Sequence, residues 1–241
     1  MGNVAGVLFD KDGTLLDFEK TFAPACAAAI RELASGDNRR AQAMAKAVDF
    51  DLDKASFSPV SIVIAGCAAD IGALWAPILD LRDGPDFHQQ IDRLFERLCQ
   101  DTVSLFPTVL PLLGRLRDMN LKTGIATNDA QANAIAQAGV AGIDRHMDFI
   151  AGYDSGHGAK PGPGMIDAFA RHCGVPAHRI IMVGDSTHDM AAARNAGAIA
   201  VAVATGMADR ETLAPHADHV IDDLAELLTL PMLVATAAAA K

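Results

Sequence analysis

Cysteine and basic side chains are both scarce in this chain of 241 residues. No two of the four cysteines have the spacing of a redox motif or a zinc site; they are Cys26, Cys67, Cys99 and Cys173. Reduced thiols in a cytoplasmic protein are the simplest interpretation. Lys and Arg number 20 against 30 Asp and Glu, a formal net charge of -10. This balance argues against nucleic acid or a membrane surface as partner, although a bound divalent cation would still admit a small anion.

The sequence also lacks an uninterrupted apolar run of membrane-spanning length. The stretch 61–79 comes closest, but Asp70 lies in its middle, glycine and proline interrupt it, and basic flanks are missing. We therefore expect it to form a buried helix. Near the N-terminus, Asp10 and Asp12 interrupt the apolar segment, so the pattern of a secretory leader is not met there.

The first informative segment is an apolar run that ends in Asp10-Lys11-Asp12-Gly13-Thr14. The run predicts a buried strand, and Gly13 predicts a sharp turn just beyond it. Carboxylates at the carboxyl end of such a strand lie where open α/β sheets bind ligands. Because neighbouring carboxylates repel each other unless a cation or a proton intervenes, Asp10 and Asp12 suggest a hard metal ion and a carboxylate with a chemical task. A pair of turn-forming aspartates is the alternative.

Two further segments carry polar residues at positions that suit an anionic ligand. Thr127 and Asn128 follow a predicted strand over 121–126, where a hydroxyl can donate to a phosphoryl oxygen; both residue types also cap helices. Lys160 lies in a loop rich in glycine and proline, where its ammonium could neutralise a phosphoryl group or could simply be solvated at the surface.

A second predicted strand, over 179–183, is followed by Gly184-Asp185 and then by Asp189. The spacing of four residues can bring Asp189 into the first turn of a helix, close to Asp185. Oxygen ligands of this kind suit Mg²⁺. Capping of the helix by Asp185 or Ser186 is the alternative.

Taken in order, these four segments resemble the four motifs of the haloacid dehalogenase (HAD) superfamily, and Lys160-Pro161-Gly162-Pro163 resembles its phosphoglycolate-phosphatase-like branch. The resemblance covers 1–16 and about 106–223. It implies that Asp10 is the nucleophile and Asp12 the general acid and base. It further implies that Thr127, Asn128 and Lys160 bind the phosphoryl group, with Thr127 and Lys160 also catalytic. The implied Mg²⁺ ligands are Asp10, the backbone carbonyl of Asp12 and Asp185, together with Asp189, which would act directly or through a water molecule.

The rest of the chain separates into two patterns. From 106 onward helices alternate with strands, which predicts a parallel sheet with right-handed crossovers. The segment 17–105 reads as four helices without a convincing strand, and its position matches a helical cap of the C1 type. We therefore predict an α/β, doubly wound, Rossmann-like HAD core over 1–16 and 106–241, with an inserted helical-bundle cap over 17–105.

The resemblance implies a Mg²⁺-dependent phosphatase that acts on a small phosphorylated metabolite through an aspartyl-phosphate, as a monomer or homodimer. A sugar phosphomutase on the same scaffold is the alternative, and a phospho-accepting signalling receiver is a more distant one. Lys11 departs from the family pattern, which usually has an apolar or aromatic residue between the two acids; its side chain is expected in solvent. His157 and His188 flank two motifs and are expected at the surface.

Overall fold

The computed structural model describes residues 4–58, 60–64 and 66–239. The outer ends of the predicted core, 1–3 and 240–241, lie outside the described residues. The chain divides into two compact units. One comprises the described residues up to Asp17 together with those from Leu105 onward, and the other comprises Phe18–Ser104.

The strands of the described residues are β1 (Gly6–Phe9), β2 (Phe50–Asp51), β3 (Ser56–Phe57), β4 (Lys122–Ala126), β5 (Phe149–Ala151), β6 (Ile180–Gly184), β7 (Ile199–Val203) and β8 (His219–Ile221). The α-helices are α1 (Phe18–Leu33), α2 (Asn38–Ala47), α3 (Ala68–Leu79), α4 (Pro85–Cys99), α5 (Val109–Asp118), α6 (Gln131–Val140), α7 (Gly164–Cys173), α8 (Thr187–Ala196), α9 (Arg210–Leu213) and α10 (Pro231–Ala239). Short 3₁₀ turns connect several of them.

The larger unit contains a parallel sheet of six strands in the order β5-β4-β1-β6-β7-β8. Its strands are apolar on both faces because helices cover both sides. Val7 and Phe9 belong to one apolar cluster with α5, whereas Leu8 between them belongs to a second cluster with Phe169 of α7. The doubly wound α/β prediction is confirmed.

The central strands β1 and β6 lie at the topological switch point of this sheet. The chain leaves β1 toward β4 and β5 on one side, then crosses to β6, β7 and β8 on the other. β1 and β6 are paired in register, with Phe9 opposite Val183. In open α/β sheets, ligands bind beyond the carboxyl ends of the strands at this point. The residues that follow β1 and β6 are therefore those of greatest functional interest.

The smaller unit contains the four predicted helices, α1 to α4, packed around an apolar core. Trp75 of α3 is fully buried and donates a hydrogen bond from Nε1 to the backbone oxygen of Met44, 3.1 Å away. The unit also contains a two-stranded antiparallel hairpin, β2 and β3, that the sequence pattern did not indicate. Strands of two residues are too short to show an alternating pattern. The hairpin depends instead on the packing of Phe50 against Phe57, with ring centroids 4.8 Å apart.

The predicted buried helix over 61–79 is only partly correct. A 3₁₀ turn occupies Ile62–Ile64, and α3 begins at Ala68; Ala65 lies outside the described residues. The helix begins there because the Asp70 carboxylate accepts a hydrogen bond from the backbone N–H of Cys67, 2.8 Å away, which satisfies an unpaired donor at the helix N-terminus. Across the described ranges, no helix combines the length and apolar character that crossing a bilayer requires.

Candidate active site

Asp10 directly follows β1 and is held there by the sheet. Its backbone N–H donates to the carbonyl of Val183 at 2.8 Å, so the pairing of β1 with β6 extends to this residue. The side chain is largely buried, and Oδ1 lies 2.6 Å from Nζ of Lys160. Burial raises the pKa of Asp10 to about 7; the charge of Lys160 opposes the rise, and those of Asp189 and Asp12 add to it. Asp10 is therefore a carboxylate that is costly to ionise without further positive charge.

Asp185 follows β6, the neighbour of β1. Thr14 donates to its Oδ1 over a long 3.4 Å. Two glycines leave the space that this carboxylate occupies: a Cβ at Gly13 would lie 2.3 Å from Asp185 Oδ2, and one at Gly206 would lie 1.6 Å from it. Burial raises the pKa of Asp185 well above its ordinary value, and the charges of Asp10 and Asp189 raise it further.

Asp189 lies in the first turn of α8, as predicted, and serves two purposes at once. Its Oδ2 accepts hydrogen bonds from the backbone N–H and the hydroxyl of Ser186, at 3.1 and 2.6 Å, so the two residues form a capping box. Its Oδ1 accepts from Lys160 Nζ at 2.6 Å. A Cβ at Gly184 would lie 2.2 Å from the Asp189 carboxyl carbon, so glycine is needed there for this approach. Asp189 therefore caps α8 and contributes a carboxylate to the candidate active site at the same time.

Lys160 is buried between Asp10 and Asp189, so the interpretation as a solvated surface lysine is wrong. Burial by itself would lower the pKa of Lys160, but the two carboxylates outweigh it and raise the pKa. The loop that carries Lys160 is fixed by Asn128: the side-chain amide donates to the backbone oxygen of Lys160 at 3.0 Å, and its carbonyl accepts from the Lys160 N–H at 2.8 Å.

Thr127 and Asn128 follow β4 on the other side of β1. The backbone N–H of Thr127 donates to the carbonyl of Ala151 at 3.0 Å, and its hydroxyl accepts from the N–H of Asp129 at 3.1 Å. Thr127 is buried. The observed bonds of the Asn128 side chain are those to the backbone of Lys160, so Asn128 holds the lysine loop; its contact with substrate stays a prediction.

Asp12 lies two residues beyond Asp10, and its carboxylate contacts Lys11. Nζ of Lys11 lies 2.7 Å from one oxygen of Asp12 and 2.6 Å from the other. Burial raises the pKa of Asp12, and the charge of Lys11 opposes the rise. The expectation that Lys11 extends into solvent is wrong, because it is only 1% exposed. Its further partners, Asp129 and Gln137, come from a distant part of the chain. The two histidines flanking the motifs are half-buried (His157) and exposed (His188).

The donor atoms of three carboxylates fit a hard divalent cation. Asp10, Asp185 and Asp189 each offer an oxygen within 4.8 Å of the others. Three acids face one ammonium here, and burial disfavours the ionised forms of Asp10 and Asp185. A cation with oxygen ligands, such as Mg²⁺, would offset this repulsion.

Several residues that shape the site escaped sequence reasoning. Besides Asp129 and Gln137, they are Thr14, Thr205 and Gly206. Thr205 donates to the backbone oxygen of Gly13 at 2.7 Å and so holds the turn after β1. The usable signal was a Thr-Gly pair soon after the apolar strand β7, the same kind of strand-end position that indicated Asp10 and Asp185.

The strand order and the acids beyond β1 and β6 place the chain among doubly wound α/β proteins with a ligand site at the topological switch point. Comparison with known proteins identifies its family. A family model for haloacid dehalogenase-like hydrolases matches residues 4–197, so the chain belongs to this family. A phosphoglycolate phosphatase from Chromobacterium violaceum is 35% identical over 140 residues, which span 58% of this chain and 62% of that protein. The chain thus matches less than two thirds of that relative's length.

Two longer matches cover nearly the whole chain. The phosphoglycolate phosphatase of Escherichia coli K12 is 26% identical over 243 residues, 95% of this chain and 94% of that protein. The crystal structure of a HAD family hydrolase from Deinococcus radiodurans R1, with bound phosphate and sodium, superimposes with a TM-score of 0.67 at 20% identity. It covers 99% of this chain and 98% of that one, and it confirms the fold.

Proposed function

We propose that the chain is a Mg²⁺-dependent phosphatase that hydrolyses small phosphate monoesters through an aspartyl-phosphate on Asp10. The observation that carries this proposal is the convergence on Asp10: Lys160 lies 2.6 Å from its Oδ1, and Asp185 and Asp189 offer oxygens within 4.8 Å. Membership of the haloacid dehalogenase-like hydrolases and similarity to phosphoglycolate phosphatases support it.

In the first step, a carboxylate oxygen of Asp10 attacks the phosphorus of the ester and the bond from phosphorus to the leaving oxygen breaks. Asp12 gives its proton to that oxygen, so the product leaves with a neutral hydroxyl group. The phosphoryl group remains on Asp10 as an acyl phosphate. Lys160, held between Asp10 and Asp189, offsets the negative charge of the phosphoryl oxygens.

In the second step, water attacks the phosphorus of the acyl phosphate. Asp12, now ionised, takes a proton from that water, and the bond from phosphorus to the Asp10 oxygen breaks. Inorganic phosphate leaves, and Asp10 and Asp12 return to their starting forms. Thr127 would donate a hydrogen bond from its hydroxyl to a phosphoryl oxygen, because a hydroxyl that accepts one hydrogen bond can still donate another.

Asp10, Asp185, Asp189 and the backbone carbonyl of Asp12 would hold the Mg²⁺. When bound, the cation supplies positive charge that offsets the repulsion between Asp10 and the phosphate and orients the ester for in-line attack. The net charge of -10 is compatible with an anionic substrate for this reason. We propose small phosphorylated carboxylic acids, of which phosphoglycolate is one, as the first compounds to test.

A hydrolysis screen over small phosphate esters, with and without Mg²⁺, tests the proposal. We expect Mg²⁺-dependent release of inorganic phosphate, and its loss in Asp10→Asn. The matched control is Asp118→Asn, an exposed acid on α5 that should retain activity. An active Asp10→Asn enzyme would contradict the assignment of the nucleophile. An isomeric sugar phosphate in place of free phosphate would instead identify a phosphomutase.

A further inference from the structure

Lys11 is a buried cation that the proposed chemistry does not use directly. It lies between Asp10 and Asp12 in the chain, and its side chain is among the largest that are fully buried. A buried lysine is costly unless its ammonium is paired and hydrogen-bonded. The partners of Lys11 therefore indicate the role of this buried cation.

The ammonium of Lys11 contacts both oxygens of one carboxylate. Nζ lies 2.7 and 2.6 Å from the two carboxylate oxygens of Asp12. Such a contact to both oxygens holds the Asp12 carboxyl group close to the Lys11 ammonium and so restricts where that carboxyl group lies.

Lys11 is itself anchored from a second element. Its Nζ lies 2.5 Å from Oε1 of Gln137 on α6, and 3.1 Å from Oδ2 of Asp129 in the turn that precedes α6. An ammonium is a donor without acceptor capacity, and here it is surrounded by oxygens of Asp12, Gln137 and Asp129. The turn that carries Asp12 is in this way tied to the helix that follows β4.

Asp129 is fixed in turn by its own hydrogen bonds. Its Oδ1 accepts from the backbone N–H of Ala130 at 2.7 Å and from the side chain of Asn133 at 3.0 Å. Its buried Oδ2 lies 3.1 Å from the Lys11 ammonium, and this ion pair compensates its charge. Lys11 thus lies between a carboxylate with a fixed position and the carboxylate of Asp12.

We propose that Lys11 is a positioning residue that holds the carboxyl group of Asp12 in the orientation from which it exchanges a proton with the leaving oxygen. The inference rests on the proposed function, in which Asp12 is the general acid. A lysine that only balanced the charge of Asp129 would not need to contact both oxygens of Asp12.

Two substrates with different leaving groups test this role. An alkyl phosphate such as phosphoglycolate needs a proton on its leaving oxygen, whereas p-nitrophenyl phosphate releases a stable phenolate that does not. We expect Lys11→Met to lower kcat/KM for the alkyl ester about tenfold or more relative to kcat/KM for the aryl ester. An equal loss on both substrates, or no loss, would overturn the proposal.

Charge balance is separated from positioning by a second variant. Lys11→Met with Asp129→Asn removes one negative charge together with the positive one, so the buried pair is not left unbalanced. We expect the altered ratio between the two substrates to persist, because Asp12 still lacks its anchor. Return of the ratio to the wild-type value, or failure of both variants to fold by circular dichroism, would assign Lys11 to the fold alone.

Two controls complete the design. Lys122→Met removes an exposed lysine at the start of β4, paired with Asp148 at 2.7 Å, and should leave the ratio unchanged. The rise in Tm on adding Mg²⁺ should be retained in Lys11→Met, which shows that the metal carboxylates are intact. Wild-type protein that hydrolyses neither ester would reject the proposed phosphatase function, a result distinct from an active enzyme with an unchanged ratio.

Discussion

Lys160 and Asp10 are 150 positions apart in the chain, yet Nζ of the lysine lies 2.6 Å from Oδ1 of the aspartate. The same ammonium lies 2.6 Å from Asp189, and Asp185 completes the group of acids. One ammonium therefore faces three carboxylates. Lys160 holds the cluster together without neutralising it, and the remaining repulsion has consequences that can be measured.

Asp185→Asn should stabilise the metal-free protein. The substitution removes one buried negative charge next to Asp10 and Asp189 while keeping the shape of the side chain. We expect the free energy of unfolding in urea with EDTA to rise by about 1 kcal/mol, the equivalent of somewhat less than one pKa unit of repulsion. Addition of Mg²⁺ should raise the Tm of the wild type and not that of Asp185→Asn. A less stable metal-free variant would contradict the picture of an electrostatically strained cluster.

The stability contribution of Asp10 should depend on pH. Burial, opposed by Lys160 and assisted by Asp189 and Asp12, raises its pKa from 3.8 to about 7. Between these values the folded state keeps a proton that the unfolded state loses. Stability therefore falls as pH rises through this window, by at most about 1.4 kcal/mol per pH unit, and the fall ends above about pH 7.

This dependence is isolated by comparing the wild type with Asp10→Asn. Unfolding in urea with EDTA at a series of pH values from 4.5 to 7.5 gives the difference between the two free energies, in which the contributions of acids distant from Asp10 cancel. We expect the free energy of unfolding of the wild type to fall relative to that of the variant as the pH rises. A difference that is constant with pH would mean that Asp10 ionises normally in the folded protein.

Asn128→Ala should loosen the loop that presents Lys160. The substitution removes two hydrogen bonds to the lysine backbone, of 3.0 and 2.8 Å, and leaves a half-buried N–H without its acceptor. We expect a loss of about 1–3 kcal/mol in the free energy of unfolding and a fall in phosphatase kcat. The matched control is Asn195→Ala, which removes an exposed hydrogen bond of 2.9 Å to Pro161 in the same loop. Equal losses of unfolding free energy and of kcat in the two variants would contradict a particular role for Asn128 in holding the Lys160 loop.

Sequence patterns were sufficient for the parts of the site that depend on local signals. An apolar run followed by an acid is a pattern of adjacent residues, and it correctly predicted that Asp10 follows β1 and that Asp185 follows β6. Lys11 was misjudged because its partner Gln137 lies 126 positions away, on a helix whose apolar pattern says nothing about which polar side chain contacts Lys11. Burial of a charge is decided by such distant partners.

The shape of the site was harder to predict than its chemistry. Glycines are common in turns, and a sequence does not reveal which of them leaves room for a carboxylate. The hairpin of β2 and β3 was not predicted either, because strands of two residues carry no periodic pattern. The roles of Asp12, Thr127 and Asn128 toward a substrate stay predictions, because they concern contacts with a molecule outside the chain.

Gly206→Ala should disrupt the proposed metal site without altering any charged residue. The added Cβ would lie 1.6 Å from Oδ2 of Asp185, far inside van der Waals contact, so the carboxylate must move. We expect loss of the Mg²⁺-induced rise in Tm and a fall in phosphatase kcat/KM of about a hundredfold, because a displacement near 1 Å is enough to misplace catalytic groups. The matched control is Gly114→Ala in α5, where the added Cβ would meet no described atom within 4 Å apart from its chain neighbours and the backbone of its own helix. That substitution should stabilise the helix by about 0.5–1 kcal/mol and leave activity intact. Retention of the Mg²⁺ response in Gly206→Ala would show that Asp185 does not need the space that this glycine provides.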